Sequence, residues 1–321
     1  MLETLELASS RAGIESAADI LRQGGIVGFP TETVYGLAAD ATNPLAVRKI
    51  FAVKGRPVSN PLILHLGDPA QARRFAVLDE TAKLLCDRFW PGSLTVVLPA
   101  KPSHPVCSEA TAGATTLAVR VPSNAVARRL LSAFGGPVVA PSANLSGCVS
   151  PTTAAHVRRD LGGRIDALID GGRCSHGMES TIVEVGNGAI RVLRDGAVAR
   201  AEIAAAVGLA TQTGFRPGAA PGQLASHYAP TARLRLNAIE ARDNEVWLGF
   251  GPDAGSAHFN LSKAGDTTGA ARNFYGMLRA IDALATKTSC PTIAVSPIPE
   301  RGLGRAINDR LRRAAHDNSV R

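Results

Sequence analysis

The sequence predicts an α/β fold of the α+β-like type, with a twisted sheet of mixed strand direction and a smaller α/β domain behind it. Hydrophobic residues make up 45% of the 321 residues and charged residues 19%, a composition that argues against disorder. Aromatic residues are only 4%, so aliphatic side chains fill most of the core. Short apolar strands and helical segments interleave without strict alternation, which favours a mixed sheet.

The first element is a helix over residues 11–24, because the Gly24-Gly25 pair is a usual stop signal. The apolar run 26–30 follows as a buried strand. Asn43 caps a helix over 43–53, with a proline in its first turn. The remaining strands are short apolar runs between turn residues, at 61–66, 93–99, 116–121, 138–140, 167–170 and 180–185. The remaining helices lie at 79–89, 123–133 and 152–161.

Glycine and proline are dense between residues 213 and 230, too dense for a regular element. We therefore predict a main domain over 1–207, a linker over 208–232 and a small α/β domain over 233–321. In the small domain we expect strands at 233–236, 245–250 and 292–295, and helices at 266–285 and 303–316.

The net charge of +8 is spread along the chain, and a basic surface of this kind suits nucleotide or RNA partners. The five cysteines form no C-x-x-C pair, which predicts neither a disulfide framework nor a zinc site and indicates a reduced, cytoplasmic setting. We expect no membrane span, because no apolar run approaches 18 residues, and no secretory signal.

Cationic and polar side chains follow two of the predicted elements. Lys54 and Arg56 stand two apart in K-G-R-P, an arrangement that suits a phosphate or a carboxylate, or equally a basic surface turn. Ser142 and Asn144 follow the strand at 138–140. They either bind phosphate or ribose oxygens there or simply cap the turn.

Arg120 lies within an apolar strand and needs an anionic partner, which is either a substrate carboxylate or an internal acid such as Glu32. Thr31 and Thr33 offer hydroxyls to a ligand or form a strand-to-turn corner. His65, at the end of an apolar strand, is either a core histidine or a ligand group.

In combination these segments are far more specific. They read P-T-E-T-V-Y-G-L (30–37), K-G-R-P-x-x-N-P-L-I-x-H (54–65), L-A-V-R-V-P (117–122), A-P-S-A-N-x-S-G (140–147) and M-E-S-T-I-V (178–183). Further along stand P-G-x-x-x-x-H-Y-A-P (221–230), A-A-R-N (270–273) and G-L-G-R-A-I-N-D-R-L (302–311). The chain closely resembles the L-threonylcarbamoyladenylate synthases of the long, two-domain form. That form has an N-terminal YrdC-like domain and a Rossmann-like C-terminal domain.

The resemblance implies a nucleotidyltransferase that joins L-threonine, bicarbonate and ATP, with Mg²⁺, into threonylcarbamoyl-AMP and pyrophosphate. A tRNA threonylcarbamoyl-transferase complex then moves the group to the adenosine beside the anticodon. Lys54 and Arg56 would be catalytic. The L-threonine site falls on Thr33, His65, Arg120, Ala140 and Ser180. The ATP site falls on Lys54, Arg56, Asn60, Thr116, Ser142, Asn144, Ser150 and Arg194, with His227 and Tyr228 as a lid. Gln223 stands where the family's linker usually has Met.

Two other functions are open at this stage. YrdC-like domains also occur in carbamoyltransferases that make a different carbamoyl adenylate, although those proteins carry further domains and cysteine clusters that this sequence lacks. A basic groove could instead bind tRNA or double-stranded RNA directly, with a steep dependence on salt. The scarcity of aromatic residues argues against RNA binding as the main function.

Overall fold

The computed structural model describes residues 3–186, 189–214 and 227–316, and the chain divides into two compact units. Unit 1 comprises the described residues up to Ser146, then Pro151–Cys174, then those from Glu179 to Gly214. Unit 2 comprises Gly147–Ser150, Ser175–Met178 and the described residues from His227 onward. The predicted limits of 1–207, 208–232 and 233–321 stay predictions, and residues 215–226 of that linker, with Gln223, lie outside the described residues.

Unit 1 contains strands and helices in mixed order. Its strands are β1 (Leu5–Ala8), β2 (Val27–Phe29), β3 (Gly36–Asp40), β4 (Leu64–His65), β5 (Leu94–Pro99), β6 (Thr116–Arg120), β7 (Val138–Val139), β8 (Ala167–Asp170), β9 (Thr181–Gly186), β10 (Ala189–Arg194) and β11 (Thr211–Thr213). Its helices are α1 (Arg11–Arg22), α2 (Pro44–Lys54), α3 (Glu80–Phe89), α4 (Ser108–Thr111), α5 (Ala125–Phe134), α6 (Ala154–Leu161) and α7 (Arg200–Val207), with a 3₁₀ helix at Pro69–Arg74.

The described strands of unit 1 form one sheet of eleven strands in the order β1-β8-β2-β3-β7-β4-β6-β5-β9-β10-β11. Strand β4 is parallel to β6 but antiparallel to β7, and β5 is antiparallel to β6 but parallel to β9. The predicted mixed sheet is therefore confirmed.

Alternate residues of the central strands enter two separate apolar cores. Val138 belongs to a core that includes residues of α1 and α5, whereas its neighbour Val139 belongs to a core that includes residues of α2, α3 and α6. This alternation is the period of two that a strand imposes on its side chains. Helices therefore cover both faces of the sheet, and the polar site residues are placed where its strands end.

Unit 2 is built on β12 (Arg233–Arg235), β13 (Glu245–Gly249), β14 (Phe259–Asn260), β15 (Thr292–Val295), α8 (Thr267–Lys287) and α9 (Gly304–Ala315). The four strands lie in the order β12-β15-β13-β14, and each pair is parallel. Among the described residues of the chain, every helix is too short or too polar to cross a lipid bilayer.

Candidate active site

A buried ion pair between Glu32 and Arg120 lies at the centre of the predicted threonine site. Nη2 of Arg120 donates to Oε1 of Glu32 at 2.6 Å, and both side chains are 4% exposed. Glu32 also accepts from the Ser93 hydroxyl (3.2 Å) and from the backbone N–H groups of Ser123 (3.1 Å) and Asn124 (3.2 Å). The internal partner expected for Arg120 is thus Glu32.

Electrostatics keep this pair ionised. Burial alone would raise the pKa of Glu32, but the charge and hydrogen bond of Arg120 and the backbone N–H donors outweigh burial, and the pKa falls to about 2. Nε of Arg120 donates to the carbonyl of Gly92 at 3.1 Å. A guanidinium has five N–H donors. The bonds to Glu32 and Gly92 use two of these donors. Among the described residues, the other three N–H groups of Arg120 remain for an anion such as a carboxylate.

His65 lies beside Arg120, because the two residues pair in register between the parallel strands β4 and β6. Its Nδ1 lies 3.0 Å from the carbonyl oxygen of Ile63, which can only accept, so Nδ1 carries the hydrogen and Nε2 is an acceptor. Burial lowers the pKa of His65 to about 3, and the Arg120 charge acts in the same direction. The imidazole is therefore neutral at physiological pH.

The hydroxyl groups of the predicted threonine site are held by hydrogen bonds of their own. The Thr31 hydroxyl donates to the carbonyl of Val34 (2.6 Å) and lies 2.7 Å from the Thr33 hydroxyl, so Thr33 donates in that second bond and keeps lone pairs for a ligand. The Ser180 hydroxyl lies 2.8 Å from that of Thr95 and accepts from Nη2 of Arg194 at 3.2 Å.

Ala140 follows β7, and its N–H donates to the carbonyl of Ile63 at 3.1 Å. Of the two backbone groups of Ala140, the carbonyl is therefore the one that can meet a substrate N–H. This completes the five predicted threonine-binding residues, all of which are buried.

The three cations of the predicted nucleotide site, Lys54, Arg56 and Arg194, are also buried, and each donates to backbone carbonyls. Helix α2 begins at the Asn43 cap and ends at Gly55, whose φ of 60° favours glycine, and this places Lys54 in the last turn. Nζ of Lys54 donates to the carbonyls of Ser142 (2.6 Å) and Asn144. Lys54 thus fastens the loop after β7 to helix α2.

Arg56 holds the loop that precedes β4. Its Nε donates to the carbonyl of Asn60 (3.2 Å) and its Nη2 to that of Pro61 (3.0 Å). Thr116 opens β6, the strand that ends in Arg120. Arg194 contacts Ser180 by three hydrogen bonds, so a residue predicted to bind ATP orients one predicted to bind threonine.

Ser150, His227 and Tyr228 belong to unit 2. Tyr228 is 1% exposed, and its ring lies 4.0 Å from that of His227 and 5.9 Å from that of Tyr275 between centroids. The guanidinium carbon of Arg310 lies 5.2 Å from the Tyr228 centroid, a cation–π contact. The lid role of these two residues stays a prediction.

Sequence reasoning missed several residues around the ion pair. Ser93 and Thr95 contact Glu32 and Ser180, and Cys174 lies close enough to feel the charges of Glu32 and Arg120. The signal for the first two is their spacing, because residues two apart in the strand predicted at 93–99 share one face of a sheet, although β5 itself begins at Leu94. No local pattern marks Cys174.

The predicted magnesium ion is compatible with these residues if the nucleotide supplies most of its ligands. Among the described residues, no group of three or more His, Cys, Asp and Glu could hold a metal, and Glu32 is engaged with Arg120. Mg²⁺ beside a nucleotide usually takes phosphate oxygens and water as most of its ligands. The site therefore suits an ion that arrives on the triphosphate.

Comparison with known proteins supports the same reading. A family model described as "Telomere recombination" matches residues 19–196, and one described as "Threonylcarbamoyl-AMP synthase, C-terminal domain" matches residues 198–316. A threonylcarbamoyl-AMP synthase of Bacillus subtilis (strain 168) is 37% identical, with 99% of this chain and 97% of that protein covered. The chain belongs to the threonylcarbamoyl-AMP synthase family.

Two further comparisons agree with membership of this family. A threonylcarbamoyl-AMP synthase of Pyrococcus abyssi (strain GE5 / Orsay) is 37% identical, with 94% of each protein covered. The crystal structure of P. abyssi Sua5 complexed with L-threonine matches with a TM-score of 0.86 at 34% identity, covering 97% of each chain. The predicted family and the predicted mixed α/β fold are both confirmed.

Proposed function

We propose that this chain is a threonylcarbamoyl-AMP synthase, which converts L-threonine, bicarbonate and ATP to threonylcarbamoyl-AMP and pyrophosphate. The observation that carries the proposal is the buried Glu32–Arg120 pair beside neutral His65. Glu32 holds the Arg120 guanidinium in place, and the three remaining N–H donors of Arg120 can bind one carboxylate.

Each group around the pair has a counterpart on threonine. Arg120 binds the carboxylate, and the carbonyl of Ala140 accepts from the substrate nitrogen. The lone pairs of Thr33 and Nε2 of His65 accept from the remaining donors of the substrate. Ser180 closes the pocket from β9, where Arg194 holds its hydroxyl.

In this proposal the nucleotide binds near the residues that precede the short strand β4. Arg56 holds the carbonyls of Asn60 and Pro61 before the strand, and His65 ends it. Pro61 and His65 are four positions apart, which corresponds to at most about 13 Å at the rise of an extended chain. In this proposal Lys54 and Arg56 bind the phosphates, which extend beyond the threonylcarbamoyl group, while Arg120 holds the amino acid.

The chemistry follows in two steps. The threonine amine attacks the carbon of bicarbonate, water leaves, and a carbamate forms. A carbamate oxygen then attacks the α-phosphorus of ATP, the bond to the β-phosphate oxygen breaks, and pyrophosphate departs. Lys54 and Arg56 stabilise the charge that moves onto the phosphates. Mg²⁺, arriving with ATP, supplies further charge neutralisation when bound. His65, with a pKa of about 3, is a hydrogen-bond acceptor and a poor base.

We further propose that the product passes to a tRNA threonylcarbamoyl-transferase complex in the cytoplasm. Support for the cytoplasmic location comes from the free cysteines of the described residues, which suit a reducing compartment. The product is a small diffusible adenylate, so tight tRNA binding by this chain is not required. A weak, salt-dependent association with tRNA or double-stranded RNA would follow from the net charge of +8.

The test is pyrophosphate release from Mg-ATP with bicarbonate, with L-threonine, with L-serine and without an amino acid. We expect release that needs both bicarbonate and threonine. Lys54→Ala should lower it by at least about 100-fold, since one preorganised donor is worth that much in other sites. Lys49→Ala is the matched control, because Lys49 lies on the same helix and also donates to a carbonyl, that of Gly24 (2.8 Å).

The alternatives predict other results of the same assay. Release without threonine, or with serine in its place, would contradict the threonine assignment. A steeply salt-dependent, tight complex with duplex RNA and no pyrophosphate release would favour the RNA-binding alternative. The match of residues 198–316 to the synthase C-terminal domain argues against the carbamoyltransferases, which continue into other domains.

A further inference from the structure

A short segment from the middle of the chain, Gly147–Ser150, belongs to unit 2 rather than to the unit that flanks it in sequence. The backbone N–H of Ala229 donates to the carbonyl of Gly147 at 2.8 Å, and Cys148 forms a parallel β-bridge with Ala229. Ser150 has no exposed surface. The segment is thus a packed part of unit 2.

Arg279 on helix α8 holds the other end of this segment. Its Nε donates to the carbonyl of Ser150 at 3.4 Å and its Nη2 to the carbonyl of Val149. The side chain is 9% exposed, so these are charge-assisted hydrogen bonds in a buried setting. The planar guanidinium has several donors in fixed directions, so one side chain can hold two neighbouring carbonyls.

The two sets of contacts together fix all four residues. Ala229, which directly follows His227 and Tyr228, contacts Gly147 and Cys148. Arg279 donates hydrogen bonds to Val149 and Ser150. Loops normally take their position from the elements on either side of them in the sequence. Here the position of Val149 and Ser150 comes from helix α8, more than one hundred residues further along the chain.

We propose that Arg279 is a positioning residue for ATP binding, acting through Ser150 of the segment Gly147–Ser150. The inference rests on the proposed function, in which Ser150 contacts the nucleotide. It assigns a task to the C-terminal part of the chain: helix α8 sets the backbone that presents Ser150. Removal of the guanidinium leaves two buried carbonyls without this donor, and Ser150 shifts with them.

The experiment compares Arg279→Gln with Arg272→Gln in full-length protein. Arg272 lies on the same helix two turns earlier and donates through Nε to the carbonyl of Ser175 at 3.0 Å, in a segment that carries no predicted ATP-binding residue. We expect Arg279→Gln to raise the KM for ATP about tenfold, the loss of about one charge-assisted hydrogen bond. The KM for threonine should change less than twofold, and Arg272→Gln should leave the KM for ATP unchanged.

Further variants separate positioning from simple destabilisation. Arg279→Lys keeps a buried cation but reaches one carbonyl, so it should fold and give an intermediate KM for ATP. In a Ser150→Ala background, Arg279→Gln should add nothing to the KM for ATP, because the residue through which it acts is gone. Fully additive effects, or equal rises in both KM values, would overturn the inference.

Failure of the proposed function has a different signature. Wild-type protein would then release no threonine-dependent pyrophosphate at all. An active wild type with an unchanged KM for ATP in Arg279→Gln overturns only the role of Arg279.

Discussion

Replacing Glu32 by Gln tests the electrostatic centre of the site. The substitution preserves the shape of the side chain but removes its charge, while the four donors around it stay in place: Arg120, Ser93, Ser123 and Asn124. An amide has one acceptor oxygen, so its NH₂ group must face either the guanidinium or two backbone N–H groups. Arg120 is left buried with no counter-charge from this residue.

The magnitude can be estimated in two ways. Removing one partner of a buried ion pair costs about 3–5 kcal/mol. The lowering of the Glu32 pKa from 4.5 to about 2 corresponds to about 3 kcal/mol of preference for the ionised form. We therefore expect Glu32→Gln to lower the free energy of unfolding of unit 1 by about 3 kcal/mol, or its Tm by roughly 6–12 °C.

Urea unfolding followed by tryptophan fluorescence measures this loss. Of the two tryptophans, Trp90 lies in unit 1 and Trp247 in unit 2, so a Trp247→Phe background reports on unit 1 alone. Glu109→Gln is the matched control, since Glu109 pairs with Arg48 at 2.5 Å but Arg48 is 64% exposed. The control should unfold near the wild-type midpoint. A Glu32→Gln protein within 1 kcal/mol of wild type would refute the argument, as would one no less stable than Glu109→Gln.

Three further predictions concern titration, the second unit and thiol reactivity. Because the pKa of folded His65 is lowered to about 3, the unfolded chain binds a proton there first, so stability should fall as pH drops from about 6.5 towards 3. His65→Asn should flatten that slope in midpoints measured against pH. Arg310→Met removes the cation under Tyr228 and should destabilise unit 2 by about 2–3 kcal/mol by Trp247 fluorescence, whereas the exposed Arg312→Met should not. Burial raises the pKa of Cys86 and Cys174 to about 12, so alkylation of the native protein, read by mass, should spare both until urea unfolds it; early labelling at either would contradict the packing.

Local signals in the sequence were sufficient for much of the fold. Helix α2 was predicted from its Asn43 cap and the proline in its first turn, and the structure shows both in those roles. Strand β3 was missed because Gly-Leu-Ala-Ala-Asp has little strand preference, and only pairing with β2 and β7 makes it a strand. Helix α7 was missed because its alanine-rich sequence has almost no apolar periodicity. The predicted strand at 61–66 shrinks to Leu64–His65, because Arg56 takes the carbonyls of Asn60 and Pro61.

The candidate site could likewise be predicted only in part from the sequence. A buried arginine needs an anion, and that rule alone pointed to Glu32 as a partner of Arg120. No such rule indicates that Lys54 binds the carbonyls of Ser142 and Asn144, since backbone acceptors leave no trace in side-chain chemistry. The tautomer of His65 likewise depends on a carbonyl two residues away.

The composition of unit 2 also bears on how the chain matures at the ribosome. Gly147–Ser150 is synthesised well before Arg279, and at ordinary elongation rates the delay is on the order of 10 s. During that interval the strands of unit 1 are completed, but the segment Gly147–Ser150 still lacks the N–H donors of Arg279. Final ordering of Gly147–Ser150 must therefore await the last third of the polypeptide, so a chain that stops before Arg279 lacks the donor that holds Val149 and Ser150.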